Sequence, residues 1–297
     1  MAASVTHRAG LVAIVGRPNT GKSTLLNCLV GQKISITSRR PQTTRHRVLG
    51  IVTRPDAQFV FVDTPGLQAR YASRLNRAMN RTAIETLAGV DAFVAVVEAL
   101  RFGRDDKRVL DQLPAGAPVV LAVNKVDRVD QPMRLLPFID QVSHVYPFSA
   151  IVPASAKAGY QVEVLLDALR PLLPEGQRLY PETEVTDRSE RFLAAELIRE
   201  KLFRLLGEEV PYATEVQIES FERQAGLCRI HATVLVDKPG QKAIVIGEGG
   251  ARLKQIATQA RLDMESLFAG KGFLEVWVKV KSGWMDDATV LRRLGYD

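Results

Sequence analysis

The sequence predicts an α/β chain of two domains: a larger one with a mostly parallel sheet covered by helices on both faces, then a smaller α+β domain. Three observations carry this. The 297 residues suit two domains of roughly 100–200 residues each. In the first half, short apolar runs alternate with helical patterns, the rhythm of a buried parallel sheet. In the second half the order changes to helix, strand, strand, helix, helix, strand.

The apolar runs are Leu11–Val15, Phe59–Val62, Ala92–Val97, Val119–Val123 and Phe148–Val152. The segments Lys22–Val30, Leu75–Ala88, Asp105–Leu113, Met133–Val142 and Gln161–Leu172 between them read as helices. His46–Thr53 faces Gln58–Val62 across a Pro-Asp turn, which predicts a hairpin and one antiparallel edge. From Pro174 to Arg188 the chain is rich in Pro, Glu and Thr without apolar period. It reads as a linker over 175–188, between domains at 1–174 and 189–297.

In the second domain Glu190–Leu206 is an amphipathic helix ended by Gly207. Thr214–Phe221 and Cys228–Val236 alternate as strands do. Lys242–Ile246 and Ala251–Phe268 are helical and flank Gly247-Glu248-Gly249-Gly250; Phe273–Val280 is a further strand.

Composition narrows the function classes. The chain is 46% hydrophobic and 25% charged, ordinary for folded globular protein. No apolar run reaches the roughly 18 residues that suggest a membrane span. Met1–Gly10 is too short and polar for a secretory or transit segment. The two cysteines, Cys28 and Cys228, fall in different domains without metal-ligand spacing, so a reducing setting and two buried apolar side chains are expected. The net charge of +7 lies wholly within residues 1–188, and 189–297 are balanced. A basic chain suggests an acidic partner such as nucleic acid, without placing it.

Gly16-Arg17-Pro18-Asn19-Thr20-Gly21-Lys22-Ser23 is a full P-loop signature between a strand and a helix. Its glycines let backbone N–H groups face phosphates, and the helix N-terminus adds partial positive charge. In such loops the lysine, here Lys22, reaches the β/γ-phosphates, and the hydroxyl, here Ser23, ligates Mg²⁺. Asp63-Thr64-Pro65-Gly66 closes the second strong apolar run. Its carboxylate suits Mg²⁺, and Gly66 leaves an N–H for the γ-phosphate. Asn124-Lys125-Val126-Asp127 follows Val119–Val123. The Asp127 carboxylate suits the paired donors of guanine, which adenine lacks, so an ATPase is contradicted. Ser155-Ala156-Lys157 after the last apolar run adds a backbone contact to the guanine oxygen. The set predicts binding of GTP and GDP with Mg²⁺.

Pro41-Gln42-Thr43-Thr44-Arg45-His46-Arg47, between P-loop and hairpin, resembles the first switch of the Era family of GTPases. The resemblance implies that Thr44 contacts Mg²⁺ and the γ-phosphate and takes part in catalysis with Lys22, Asp63 and Gly66. Thr43 beside it leaves a shift of one residue open. Leu67 stands where many switch GTPases carry a water-orienting glutamine, and Gln68 follows one position late. Asn19 resembles the asparagine that helps hold K⁺ beside the phosphates in related GTPases; its other reading is a turn residue.

In the second domain, the Gly247–Gly250 loop between helical segments resembles the loop with which KH domains clamp about four nucleotides of single strand. The element order matches the type II KH arrangement. Gly247, Glu248, Gly249, Gly250, Arg252 and Lys254 are therefore the expected RNA contacts. Glu248 departs from the usual basic residue, and Lys238, Lys242, Arg252 and Lys254 offset it. Ile244, Ile246 and Leu253 read as core before base contacts, and Trp277 and Trp284 as core before stacking platforms. Val278–Trp284 and Leu294-Gly295-Tyr296 also resemble the C-terminus of the Era family. Arg70, Arg74, Arg77 and Arg81 recur at helical spacing as a solvated face or a basic stripe for RNA.

Over residues 8–297 the resemblance implies a monomeric switch that binds small-subunit ribosomal RNA near its 3′ end and assists assembly of the small subunit. The cytoplasm is the expected setting, with peripheral association at the inner membrane also known in that family. The rival is a signalling or membrane-surface GTPase whose second domain binds protein rather than RNA. Glu248 and the balanced charge of 189–297 favour it; the Gly-x-x-Gly context and the lack of a lipidation signal oppose it.

Overall fold

Apolar strand-length runs assemble into two separate sheets. The computed structural model describes residues 7–296 apart from 39, 42, 64, 66–72, 208 and 225. The chain divides into two units. Unit 1 holds Met1–Ser35, Thr44–Leu67 and Asn80–Asp187; unit 2 holds Ile36–Thr43, Gln68–Met79 and Arg188–Asp297. The expected division was contiguous, so two segments of the N-terminal half depart from it.

The sheet of unit 1 comprises β1 (Arg8–Val15), β2 (Val48–Thr53), β3 (Ala57–Asp63), β4 (Ala92–Glu98), β5 (Val119–Asn124) and β6 (Ala150–Pro153), in the order β2-β3-β1-β4-β5-β6. Only β2 runs antiparallel, paired with β3 across the hairpin. The inner parallel strands β1, β3, β4 and β5 are buried on both faces, which is why they read as continuous apolar runs. The helices are α1 (Lys22–Val30), α2 (Arg74–Ala88), α3 (Arg104–Leu110), α4 (Leu135–Ser143) and α5 (Val162–Leu169). Leu110 and Val142 pack on Ala13, Phe93, Ala95, Leu121 and Val123 in one core. The nucleotide motifs lie at the carboxyl ends of β1, β3, β5 and β6, the edge at which open α/β sheets bind ligands.

Residues 175–187, expected as a linker, belong to unit 1 by packing. The Ile51 N–H donates to the Val185 carbonyl at 2.9 Å and the Leu49 N–H to Asp187 at 3.3 Å. Gln58, fully buried, accepts from the Leu179 and Tyr180 N–H groups at 2.7 and 2.9 Å. Tyr180 packs on Leu49, Ile51, Val60 and Val62. The edge strand β2 needs hydrogen-bond partners, and backbone pairing leaves no apolar period in the segment that supplies them.

Unit 2 follows the expected order: α6 (Glu190–Leu205), β7 (Thr214–Gln224), β8 (Leu227–Val236), α7 (Pro239–Ile246), α8 (Ala251–Leu267) and β9 (Lys271–Val280), then α9 (Ala288–Arg293). Strand β8 is central, antiparallel to β7 and parallel to β9. Cys228, Ile230, Ala232 and Val234 turn one face of β8 into the core.

Helix α6 is buried well beyond one amphipathic stripe, and its buried residues include Glu196, Arg199, Glu200 and Lys201. The charges are paired. Arg199 donates twice to Glu196, each at 2.7 Å, and Lys201 meets Asp263 at 2.5 Å. Burial lowers the Arg199 pKa, but the Glu196 contact and the Glu215 charge outweigh it and raise it overall. Residues 36–43 and 73–79 join this unit through specific contacts. Glu200 accepts from the Thr37 N–H at 3.0 Å, Arg204 donates to the Thr37 hydroxyl at 2.9 Å, and the Tyr212 hydroxyl donates to the Pro41 carbonyl at 3.2 Å. Leu75 and Met79 share a core with Leu235, Trp284, Val290, Leu291 and Tyr296. A sequence reading that divides the chain into consecutive segments cannot reveal such exchange.

Candidate functional site

The P-loop joins β1 to α1. Gly16 (φ 150°) and Gly21 (φ 103°) take conformations that favour glycine. A Cβ on Gly16 would lie 2.4 Å from the Val96 carbonyl oxygen. Asn19 has φ 65° and is exposed, as a turn residue would be. Lys22 Nζ folds over the loop and donates to the Gly16 and Arg17 carbonyls at 2.8 and 3.0 Å. Burial pushes its pKa down, opposed by the Asp63 charge and reinforced by Arg17.

Asp63, at the end of β3, is fully buried. Its Oδ2 accepts from Ser23 at 2.8 Å, Ser35 at 2.9 Å and Thr44 at 3.5 Å. Its Oδ1 has no hydrogen-bond partner among the described residues. Burial pushes the Asp63 carboxyl above its usual range, against the lowering effect of Lys22 and the three hydroxyls. An unpartnered buried carboxylate oxygen amid hydroxyls fits a divalent cation. One carboxylate with hydroxyls, completed by phosphate oxygens, suits Mg²⁺, which seldom takes an all-protein cage. The Thr44 hydroxyl also lies 3.3 Å from that of Ser23, whereas the Thr43 hydroxyl donates to the Arg40 carbonyl at 3.0 Å. Thr44, of the two adjacent threonines, faces the Ser23–Asp63 pair.

Asn124 joins three motifs. Its Nδ2 donates to the Thr20 carbonyl at 2.8 Å, and its Oδ1 accepts from the Ala156 N–H at 2.9 Å. Lys125 Nζ donates to the Asn19 carbonyl at 2.6 Å and to Glu98 at 2.8 Å. Ser155 Oγ donates to Asp127 at 2.6 Å, leaving the exposed carboxylate oriented beside the end of β5. Lys157 is exposed.

In unit 2 the Gly-x-x-Gly loop lies between α7 and α8. Gly247 has φ 72°, Gly249 φ 55° and Gly250 φ 79°. A Cβ on Gly247 would lie 2.6 Å from the Arg252 Cβ. Glu248, Gly249 and Lys254 are exposed. The Arg252 guanidinium donates to the Leu205 carbonyl at the end of α6, so part of its donor capacity is used within the unit. Ile244 is exposed, against its core expectation, while Ile246 and Leu253 are half-buried.

A family profile described as "50S ribosome-binding GTPase" matches residues 11–125, and a KH-domain profile matches residues 209–285. The GTPase Era of Nitrosomonas eutropha is 55% identical over 98% of both chains. The chain belongs to the Era GTPase family. GTPase Era of Neisseria meningitidis is 58% identical over 97% of this chain and 95% of its own. An Era variant of Aquifex aeolicus bound to GDP·AlF4⁻ superposes with a TM-score of 0.91 at 37% identity, over 97% of this chain and 99% of the other. An Era in complex with MgGDPNP and nucleotides 1506–1542 of 16S ribosomal RNA gives the same TM-score and identity, over 98% and 99%.

Within this Era-family chain, Gln42, Thr64, Gly66, Leu67, Gln68 and Arg70 lie outside the described residues. Arg74, Arg77 and Arg81 are exposed on α2. Sequence reasoning missed three supports of the site. Burial pushes Glu98 up, but Lys125, Arg101 and Arg17 outweigh it and hold its carboxyl below the usual range. Asp106 anchors the Arg17 guanidinium at 2.9 Å. Asn27 accepts from the Ile34 and Ser35 N–H groups at 3.0 and 2.9 Å, holding Ser35 against Asp63. None belongs to a linear motif; Glu98, at the end of an apolar strand, carried the one readable signal. Cys228 is buried as expected, and Cys28 is half-buried.

Proposed function

We propose that this Era-family GTPase is a switch that hydrolyses GTP and carries small-subunit ribosomal RNA on its KH unit, assisting assembly of the small subunit. The observation that carries the nucleotide half is Asn124, bonded at once to the P-loop carbonyl of Thr20 and to Ala156. The RNA half draws support from the Gly247–Gly250 loop and from the related Era that binds nucleotides of 16S ribosomal RNA.

In this reading Gly16 to Ser23 cradle the phosphates of GTP or GDP. Lys22 exchanges its two carbonyl contacts for phosphate oxygens. Asp127, held by Ser155, accepts from guanine, and Lys125, Ala156 and Lys157 complete the base site. Ser23, Thr44 and Asp63 hold Mg²⁺, which supplies positive charge against the phosphates. Lys22, Thr44, Asp63 and Gly66 carry the catalytic arrangement, with Thr64 and Pro65 of the same motif contributing to nucleotide binding. GTP orders the two switch segments and loss of phosphate releases them.

Two finer readings belong to the same proposal. Asn19 helps hold K⁺ beside the phosphates, where a cation supplies charge that an arginine finger supplies elsewhere. The chain works as a cytoplasmic monomer, with peripheral membrane association as a second location; no helix of the described residues is long and apolar enough to cross a membrane. Sedimentation tests the proposal. The GTP-loaded chain is expected to travel with small ribosomal subunits, and Lys22→Ala to lose GTP affinity. Recovery with membranes alone, or near-wild-type affinity in the variant, would overturn it.

A further inference from the structure

The sheet of unit 2 has two unlike faces. Cys228, Ile230, Ala232 and Val234 of β8 point into the core. Their odd-numbered neighbours point the other way, and the register places Arg229 opposite Phe273, His231 opposite Glu275 and Thr233 opposite Trp277. Among the described residues this second face is closed towards one end, where Leu235 packs with Trp284, Val290 and Leu291 and Thr233 beside it is buried. Beyond it Phe273 is 45% exposed and Trp277 47% exposed, against the core position expected of that tryptophan.

These side chains form a continuous row. The Arg229 guanidinium carbon lies 5.7 Å from the centroid of the Phe273 ring. The His231 ring is 6.1 Å from Phe273 and 5.6 Å from Trp277, lying within 13° of parallel to the indole. Single exposed apolar residues are ordinary on a protein surface. A row of guanidinium, phenyl, imidazole and indole is different, because every member presents a flat face suited to another flat ring. Lys271 and Lys279 sit on the same strand face, one beyond each end of the Phe273–Trp277 stretch. Against them stand Glu222, opposite Arg229, and Glu275, which His231 engages at 3.3 Å. Aromatic rings flanked by cations favour nucleobases joined by phosphates over an aliphatic protein surface.

We propose that this open sheet face is a base-stacking site for single-stranded RNA, separate from the Gly-x-x-Gly loop and extending the length of RNA that the unit binds. The inference rests on the RNA-binding reading above. Other RNA-binding sheets stack two or three bases on aromatic side chains in this manner. Phe273 and Trp277, four residues apart on one strand, stand roughly 13 Å from each other, with His231 between them.

Tryptophan fluorescence offers a direct test in the unaltered chain, because Trp277 is exposed and Trp284 is buried. The probe is single-stranded RNA from the 3′ end of the small-subunit ribosomal RNA, about 12 nucleotides long against the roughly four a KH loop takes. Binding is followed separately by anisotropy of labelled RNA. Bound RNA is expected to shield Trp277 from acrylamide quenching. A folded variant with Phe273→Leu and Trp277→Leu is expected to bind the long RNA about tenfold more weakly. Its affinity for an RNA of about four nucleotides should be unchanged. Tight binding of the long RNA with undiminished quenching, and equal affinity in the double variant, would overturn the site while leaving the RNA reading intact. Absence of RNA binding by the unaltered chain would overturn both. A double variant that keeps RNA affinity but no longer joins the small subunit would replace RNA with a protein partner and also overturn the proposal.

Discussion

A Cβ on Gly21 would lie 2.3 Å from the Asn124 amide nitrogen, the group that donates to the Thr20 carbonyl. The absent side chain is what lets the base end of the site grip the phosphate end. Gly21→Ala meets that clash and a φ of 103° that other residues rarely adopt. It is expected to displace Asn124 and lower stability by on the order of 1–3 kcal/mol. GDP affinity by calorimetry and the melting temperature should fall together.

Asp63 gives a pH prediction with a definite sign. Its folded pKa is raised by burial, so the ligand-free native state holds the proton more tightly than the unfolded chain. Stability from this group is therefore greatest at low pH and is lost as pH rises through the raised value. Asp63→Asn removes the ionised form. At neutral pH the empty variant is expected to melt higher than the parent, while Mg²⁺ with GDP raises the melting temperature of the parent by more than that of the variant. A lower melting temperature for the empty variant would contradict the assignment.

Asp127 is oriented by Ser155 and otherwise open. Asp127→Asn is expected to shift preference from guanine to xanthine nucleotides, because the new amide donates to the carbonyl that replaces the guanine amino group. Competition between GTP and xanthosine triphosphate measures it; unchanged preference for GTP would remove Asp127 as the base reader.

Unassisted switch GTPases turn over as slowly as roughly 10⁻⁴ s⁻¹. If Asn19 helps hold K⁺, replacing sodium by potassium raises the phosphate-release rate, and Asn19→Ala abolishes the difference. Equal rates in both salts count against the ion and leave the GTPase unaffected.

The Gly-x-x-Gly loop is best tested at Glu248, since Gly249 and Gly250 have positive φ and resist substitution. Glu248→Lys is expected to tighten RNA binding. Each added phosphate contact on a single strand steepens the logarithmic salt dependence by about 0.7.

Much of this was legible in the sequence because the chemistry is local. A P-loop needs its glycines and lysine at fixed spacing, and a parallel sheet buried on both faces writes itself as apolar runs. The β-α order of both units and the nucleotide motifs followed from such short-range rules. What only the tertiary structure decided depends on residues far apart in the chain. Thr44 rather than Thr43 faces Ser23, since the Thr43 hydroxyl is taken up by the Arg40 carbonyl. Segments 36–43 and 73–79 pack with the second unit, since α6 offers Glu200 and Arg204, and Trp284 offers an apolar surface. Trp277 is exposed and Trp284 buried, though both are tryptophans near the end of the chain. Strand alternation fixes only that Trp277 and Val278 face opposite ways. Which face receives the helices is set by how the whole unit closes over its sheet.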